Sequence, residues 1–594
     1  MLEEQNNSQD TNTKFDLIVV GSGNGACGFL SECLKYTDSA DDYKILVLEQ
    51  GKSYFYTSDV TRQNGWAKSY STNQIFKLHN TKTSKGTPIV SGRAVTMGGG
   101  GSINFSMIHE SSEWLADKIG YDEKYWDDSK DELNSKFKRP DPFVTRTPFA
   151  KYIGEKFDGT HPLSKKQKQK QNRTKFFQTA SKEDLRGGIP SLRDDFENFP
   201  GKEAKQLYVF PNQFNEYGQR TNSGVSLVDW ERVHLRNNSE VKELIMEDTV
   251  CKNVKVKNLL TNKDEVFSLK EGGRVVLACG SQSPRILMGT RTLTNDRIGK
   301  RVNDHICMPL ALYLVPDDQK ASVSAKNAYE TVFAMTSVDT VTKGGDGEVV
   351  KKLATFDFFT GEIERLFFLV SSLFLCYLPF NTVKAIMVQF PFLFTFLSNT
   401  VRILLTVLVY VYKIVQGVLN VFKGRPFGES KIIVTKALVK FNSVLEGQYE
   451  NNGDQITLKF FEDERDFIIA EEAITKNLDL LESLGSKPIL LSLILRLLTG
   501  IPYKKSQVKG YVKNFSRRTL LSEQHLAGGC IFGDVIDKGI TDASKTGQVI
   551  GSDNIHVADL SAVPLPRVST QMTAYLVGHH VGKQLYAPNR KKLI

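Results

Sequence analysis

The sequence predicts an α/β fold, and three observations carry that expectation. Asp16 to Val20 (DLIVV) reads as a short buried strand that runs straight into Gly21-Ser-Gly-Asn-Gly-Ala26. A second apolar strand, Tyr43 to Leu48 (YKILVL), ends in Glu49. A third buried-type strand, Arg274 to Ala278 (RVVLA), lies much further along the chain and leads into another turn, Cys279-Gly-Ser-Gln-Ser-Pro284. At 594 residues the chain is too long for one compact core, so two sequential or interleaved domains are expected.

The first turn fits G-x-G-x-x-A where a strand enters a helix. Gly21 permits the tight turn, Gly23 lets backbone approach a pyrophosphate, and Ala26 keeps the helix close to the sheet. Asn24 and Gly25 open the helix, whose free N–H groups face a phosphate. Glu49 stands where an acid accepts hydrogen bonds from an adenosine ribose, although it lies further from the glycines than the usual ~20 residues. The polar loop Thr37 to Asp42 absorbs the excess. Singly, the glycines read as an ordinary turn and Glu49 as a surface carboxylate. Strand, glycine turn, helix, strand and acid together predict a Rossmann-like dinucleotide site, with FAD or NAD left open by these residues.

Four consecutive glycines, Gly98 to Gly101, lie within Gly92 to Glu110 (GRAVTMGGGGSINFSMIHE), and no regular element accommodates such a run without cost. A flat or charged group is expected against that backbone. Near the C-terminus come His525 to Gly533 (HLAGGCIFG), Ile555 to Pro564 (IHVADLSAVP) and a final helix from about Ser569 to Leu585.

With these motifs in order, the chain resembles the glucose-methanol-choline (GMC) family of FAD-dependent oxidoreductases. Gly21 to Ala26 and Glu49 match the turn and acid that hold the ADP half of FAD in that family. Gly98 to Asn104 resembles its glycine loop along the flavin, which implies contacts from Gly99, Gly100 and Asn104. Ser283 to Leu287 (SPRIL) and Asp304-His305 are similar to later landmarks, and the segment around Val241 resembles a strand whose backbone meets the adenine. Asp559 falls where the family places an acid near the pyrophosphate and ribityl chain. His525-Leu-Ala-Gly-Gly-Cys530 is closer to the cholesterol oxidase branch than to the sugar oxidases. The resemblance covers roughly the first 110 residues, 230–310 and 515–590, with a fainter echo at Gly218 to Ser223.

The family implies a Rossmann-like FAD-binding domain in three parts, 14–145, 230–310 and 515–590, after a disordered tail of residues 1–13. Residues 146–229 and 311–514 are then a substrate domain of antiparallel sheet plus helices, carrying a hydrophobic helical insertion at 363–423. Oxidising an alcohol requires the hydroxyl proton to leave as hydride passes to the flavin N5, and an imidazole suits the base role near pH 7. Of nine histidines, His525 stands where the resemblance puts that base, while His579 and His580 on the last helix are read as structural. Ser569 falls at the place of the family's second hydrogen-bonding residue, usually Asn or His, and as serine grips the substrate oxygen less firmly or through a water.

The seven cysteines are odd in number and show no paired spacing, so reduced thiols in a cytosol-facing protein are expected, with Cys530 a small buried filler. Met1 to Thr13 lack the apolar stretch of a secretory signal. The formal charge of +10 gathers in Lys165 to Lys175, without interleaved aromatic residues, which argues against a nucleic-acid partner and for a solvated loop.

Apolar runs at 366–383, 385–401 and 403–412 lack a repeating polar face, although proline, glutamine and asparagine interrupt them. A bilayer crossing takes about 20 apolar residues, so the runs are short for clean spans. Membrane contact by a hairpin or by helices in one leaflet is expected, with Pro488 to Leu498 adding to that surface. The terminal Lys591-Lys592-Leu-Ile594 resembles a dilysine retrieval signal, pointing to the endoplasmic reticulum. A lipid-like alcohol, long-chain or sterol, is the expected substrate. A flavoprotein that binds a lipid without turnover, or a flavin lyase or decarboxylase on the same fold, is the alternative.

Overall fold

The computed structural model describes residues 13–37, 43–53, 75–103, 112–136, 205–209, 227–309, 313–315, 332–341, 349–360, scattered positions in 396–424, then 433–436, 438–483, 487–488, 496–497, 500–566 and 570–587. Asn104, Ser569, Gly218 to Ser223, Lys165 to Lys175, the C-terminal lysines and most of 363–423 lie outside them.

In chain order the N-terminal stretch supplies β1 (Lys14–Val20), α1 (Asn24–Tyr36), β2 (Ile45–Leu48) and α2 (Glu123–Lys136). The middle supplies β3 (His234–Arg236), β4 (Ser239–Glu247), β5 (Val250–Asn258), β6 (Asp264–Leu277), α3 (Ser283–Gly289) and β7 (His305–Pro309). Then follow β8 (Val332–Val341), β9 (Val349–Thr360), β10 (Leu438–Asn442), α4 (Glu464–Ser483), β11 (Leu520–Ser522), β12 (Ile555–Val557) and α5 (Gln571–Tyr586).

The first sheet is parallel at its centre. β1 pairs with β2 on one side and β6 on the other, β2 pairs with β3, and β12 lies on the far side of the C-terminal half of β6. Leu17, Ile18, Val19 and Val20 are buried, as expected of a strand covered on both faces. The third expected strand is only the end of β6: the preceding half pairs antiparallel with β5, which pairs with β4. That half alternates between exposed and partly buried residues, so no continuous apolar run marked it in the sequence.

Helices α1 and α5 pack closely on this sheet because glycines meet at their crossing. A Cβ added at Gly28 would stand 2.2 Å from the Tyr575 carbonyl oxygen, and one at Gly578 would stand 1.9 Å from that of Gly25. Gly578→Val must therefore push the helices apart. It is expected to cost about 1–3 kcal/mol as overpacking does, read as a lower thermal unfolding midpoint; an unchanged midpoint would refute the close crossing.

The second sheet is largely antiparallel. β7 sits between β10 and β11, β9 pairs with β8 and β10, and α4 packs against β8, β9 and β10. Short N-terminal strands, Thr81–Thr83 and Pro88–Val90, join it in parallel beside Gln455–Leu458 and β11. The observed α/β fold with its mainly antiparallel second sheet agrees with the expected class. The expected hydrophobic helical insertion has less support: among the described residues no helix is long and apolar enough to cross a membrane.

Candidate active site

One cavity of about 420 Å³ gathers the glycine turns from both ends of the chain. Its lining includes Gly21, Gly23, Asn24, Gly25, Glu49, Gly99, Gly100, Val241, His525 and Asp559, which lie far apart in sequence. Ala26, named with the turn, is fully buried and absent from the lining, because its position in the first turn of α1 faces the core. Asn104 and Ser569 fall outside the described residues, but their neighbours Ile103 and Thr570 line the cavity.

Where the two glycine turns meet, glycines let their backbones approach closely. Gly21 has φ 99°, and a Cβ there would stand 2.6 Å from the Ala278 carbonyl oxygen. A Cβ on Gly99, itself at φ 54°, would stand 2.9 Å from Gly23 Cα. Ser22 knits the turns together, accepting from the Gly98 N–H at 3.0 Å and donating to Glu49 at 2.7 Å. Glu49 also accepts from the main-chain N–H groups of Ser22 (3.1 Å) and Gly51 (2.7 Å), so it braces the turn while facing the cavity. Burial pushes its carboxyl above the ordinary range, and these hydrogen bonds pull it back.

These residues fit FAD. The N-terminus of α1 opens on the cavity with Gly23 at its cap, no side-chain cap and no acid in its first turn, leaving its N–H dipoles for a phosphate. Arg93 joins the lining: burial pulls its guanidinium below the ordinary range, Cys279, Glu49 and Glu240 oppose that shift, and among the described residues none makes a salt bridge with it. β4 pairs with β5 alone within the described sheet, so the strand carrying Val241 presents an unladdered edge beside the cavity. Asp559 is held by the Gly280 N–H (2.8 Å), Ser283 Oγ (2.6 Å) and the Ser561 N–H (2.8 Å). It joins the turn after β6 to the turn after β12, and burial raises its carboxyl.

His525, also in the lining, follows Gln524, which adopts a left-handed backbone at φ 64°, an uncommon conformation for a residue other than glycine. The Gln524 side chain holds this turn by accepting from the Gly92 N–H and donating to the Ser522 carbonyl at 3.0 Å. Beneath lies Asp304, fully buried. Its carboxylate accepts from the main-chain N–H groups of His305 (2.8 Å) and His525 (2.9 Å), and from the hydroxyls of Ser91 (3.4 Å) and Ser522. Nδ1 of His525 meets Nδ1 of His305 at 2.9 Å. His579 bonds Glu32 at 2.9 Å and His580 bonds the Tyr125 hydroxyl at 2.9 Å, both buried in helix packing away from the cavity lining.

Burial lifts the Asp304 carboxyl from 3.8 to about 7 against its four donors. A carboxyl raised on folding costs the native state as the unfolded chain ionises: nothing below about pH 4, a growing amount up to about pH 7, and a constant amount above. Asp304→Asn keeps an oxygen for the two N–H groups and offers N–H to the serines. It is expected to flatten the fall in urea stability between these pH values; a slope equal to that of the unaltered protein would refute the assignment.

Sequence reading missed Arg93, His305 as a partner of His525, Thr570 and Gln571, all brought to the site by pairing across long separations. For His305 a signal existed in the Asp304-His305 landmark, but nothing local said which histidine it would face.

A family model described as GMC oxidoreductase matches residues 445–578, the stretch that contains His525 and Asp559. The match to that family is confined to residues 445–578. This GMC match brings with it FAD as the cofactor and an alcohol-type oxidoreduction as the chemistry. No curated protein matches the chain. Among solved structures it is similar to a formate oxidase variant of Aspergillus oryzae RIB40, at 14% identity and TM-score 0.61, covering 98% of this chain and 99% of that chain. It is also similar to pyridoxine 4-oxidase from Mesorbium loti, at 13% identity and TM-score 0.56, covering 97% and 99%. An FAD-dependent oxidoreductase from Chaetomium thermophilum follows at 12% identity and TM-score 0.53, covering 97% and 100%. At these identities the likeness is one of fold, over nearly the whole chain.

Proposed function

We propose that this chain oxidises the CH–OH carbon of a lipid-like alcohol, long-chain or sterol, with His525 as the base that takes the hydroxyl proton. The observation that carries this reading is one cavity whose lining includes both the glycine cradle and His525. FAD, when bound, supplies the hydride acceptor at its N5. His525 receives the proton, and its turn, braced by Gln524 and Asp304, keeps the ring in place. Ser569, next to the cavity-lining Thr570, is assigned the second hydrogen bond to the substrate oxygen.

The fold does not set the substrate. The neighbours are named for formate and for pyridoxine, which differ from each other as well. The lipid assignment is supported by apolar exposure. Ile403 and Leu404 (each 58% exposed), Val407, Val411, Ile414, Val418 and Phe422 (85%) recur at helical spacing in the expected insertion. Basic Arg402, Lys413, Lys423 and Arg425 interleave with them, a composition suited to an anionic lipid surface. Membrane association on the cytosolic side, at the endoplasmic reticulum, and resemblance to the cholesterol oxidase branch belong to the same proposal.

The deciding experiment mixes the purified flavoprotein, under nitrogen, with long-chain alcohols, sterols and sugars while the flavin absorbance is followed. Bleaching by lipid alcohols is expected. Faster bleaching by sugars would overturn the substrate, and no bleaching by any alcohol would leave a lipid-binding flavoprotein. Turnover of a fatty acid or cyanohydrin without net bleaching would identify a lyase or decarboxylase instead. Vesicle flotation tests the surface: Leu404→Asp with Val407→Asp is expected to lose binding to anionic vesicles, and full retention would exclude that face.

A further inference from the structure

The two imidazoles His305 and His525 are 220 residues apart in sequence and meet ring to ring, centroids 5.2 Å apart and planes at 81°. A hydrogen bond between two ring nitrogens needs an N–H on one and a lone pair on the other, so their Nδ1 atoms cannot both be protonated or both bare. The contact is not a chance of ring rotation. Asp304 holds the main-chain N–H of both residues, and His305 lies on β7 between β10 and β11. His305 is 3% exposed and absent from the cavity lining, whereas His525 lines it.

We infer that His305 is the positioning residue of the base, accepting at its Nδ1 the Nδ1–H of His525. This inference rests on the reading of His525 as base. The acceptor fixes the His525 tautomer in which Nε2 carries the lone pair, the form that can take a proton from an alcohol. When the hydroxyl proton arrives at Nε2, the C–H hydrogen leaves with its electron pair for the flavin and the C–O bond becomes a carbonyl. His525 is then an imidazolium, and its Nδ1–H to His305 becomes a charge-assisted hydrogen bond, roughly twice as strong as a neutral one. A neutral imidazole thus fills the place that a carboxylate holds in a nucleophile, base and orienter chain. The titratable groups around the pair are Asp304 under both backbones, Glu523 beside it, and Cys307 further along β7, with Tyr449 near Asp304.

The test compares His305→Phe and His305→Asn as FAD-loaded proteins in anaerobic reduction by the best alcohol across pH. Phenylalanine keeps ring volume without an acceptor. It is expected to slow reduction per bound flavin about 10²-fold, at the low end of what general base catalysis contributes, and to move the acid limb of the rate to lower pH. Asparagine places an acceptor oxygen near the Nδ1 position and is expected to stay within about tenfold of the unaltered protein with its limb in place. Equal rates and limbs in His305→Phe would overturn the inference, as would His305→Asn being as slow as phenylalanine. Should His305→Phe not fold, 15N NMR of the imidazoles in the unaltered holoprotein decides: a lone pair at Nδ1 of His525, with the proton at Nε2, overturns it. His525→Ala in the same assay separates the two readings. Reduction surviving in His525→Ala sinks the base itself, whereas reduction lost there but intact in His305→Phe sinks only the role of His305.

Discussion

His525→Ala is expected to slow alcohol-driven flavin reduction by about 10² to 10⁴-fold, the range over which a positioned general base acts, while FAD remains bound. The imidazole lies in the cavity lining, and its backbone is anchored by Asp304 at 2.9 Å, so removal of the ring empties the base position without releasing the turn. The glycine cradle that fits FAD, from Gly21 to Gly25 and at Gly99 and Gly100, is built from other turns of the chain, and His525 makes none of its hydrogen bonds to Ser22 or Glu49. The loss should therefore fall on the reduction rate, measured by stopped flow under nitrogen, and not on flavin content. A variant that retains the unaltered rate would remove His525 from the mechanism; one that purifies colourless would make it a structural residue.

Gly99→Val is expected to yield protein without flavin. At φ 54° the backbone of residue 99 is in the left-handed region, where a β-branched residue is strained by about 1–3 kcal/mol. The added Cβ would also stand 2.9 Å from Gly23 Cα, in the turn that opens α1. Both costs are relieved by withdrawing the glycine loop from the helix N-terminus, which dismantles the phosphate end of the cradle. The expected outcome is a fall of 10² or more in FAD affinity, about 3 kcal/mol, read by fluorescence titration of the apoprotein. Gly510→Ala is the control: a Cβ there meets nothing within 4 Å, and flavin content should not change. Equal flavin in both variants would mean that the cradle is not where the cofactor sits.

How much of this could be read from residues alone depends on how far each constraint reaches along the chain. The strand and turn at 14–26 were legible because a buried parallel strand is a continuous apolar run and a left-handed turn demands glycine. Helix α5 was legible to within two residues for the same local reason. The first half of β6 was not, since a half-exposed antiparallel strand leaves only a weak pattern. Ala26, grouped by the motif with the glycines, is buried in the core, where it packs the helix on the sheet.

By itself the sequence determined the α/β class and named the glycine turns, Glu49, Asp559 and His525 as candidates, the last two through the family resemblance. The strand, turn and acid at 14–49 are written in windows of a few residues, where backbone sterics and apolar periodicity act. Only the tertiary structure decided that His305 faces His525, that Asp304 clamps both, and that Arg93 lends its charge to the same cavity. Those relations depend on which strands pair across hundreds of residues. Side-chain burial summed over the whole core selects that pairing, and no short stretch of chain encodes it.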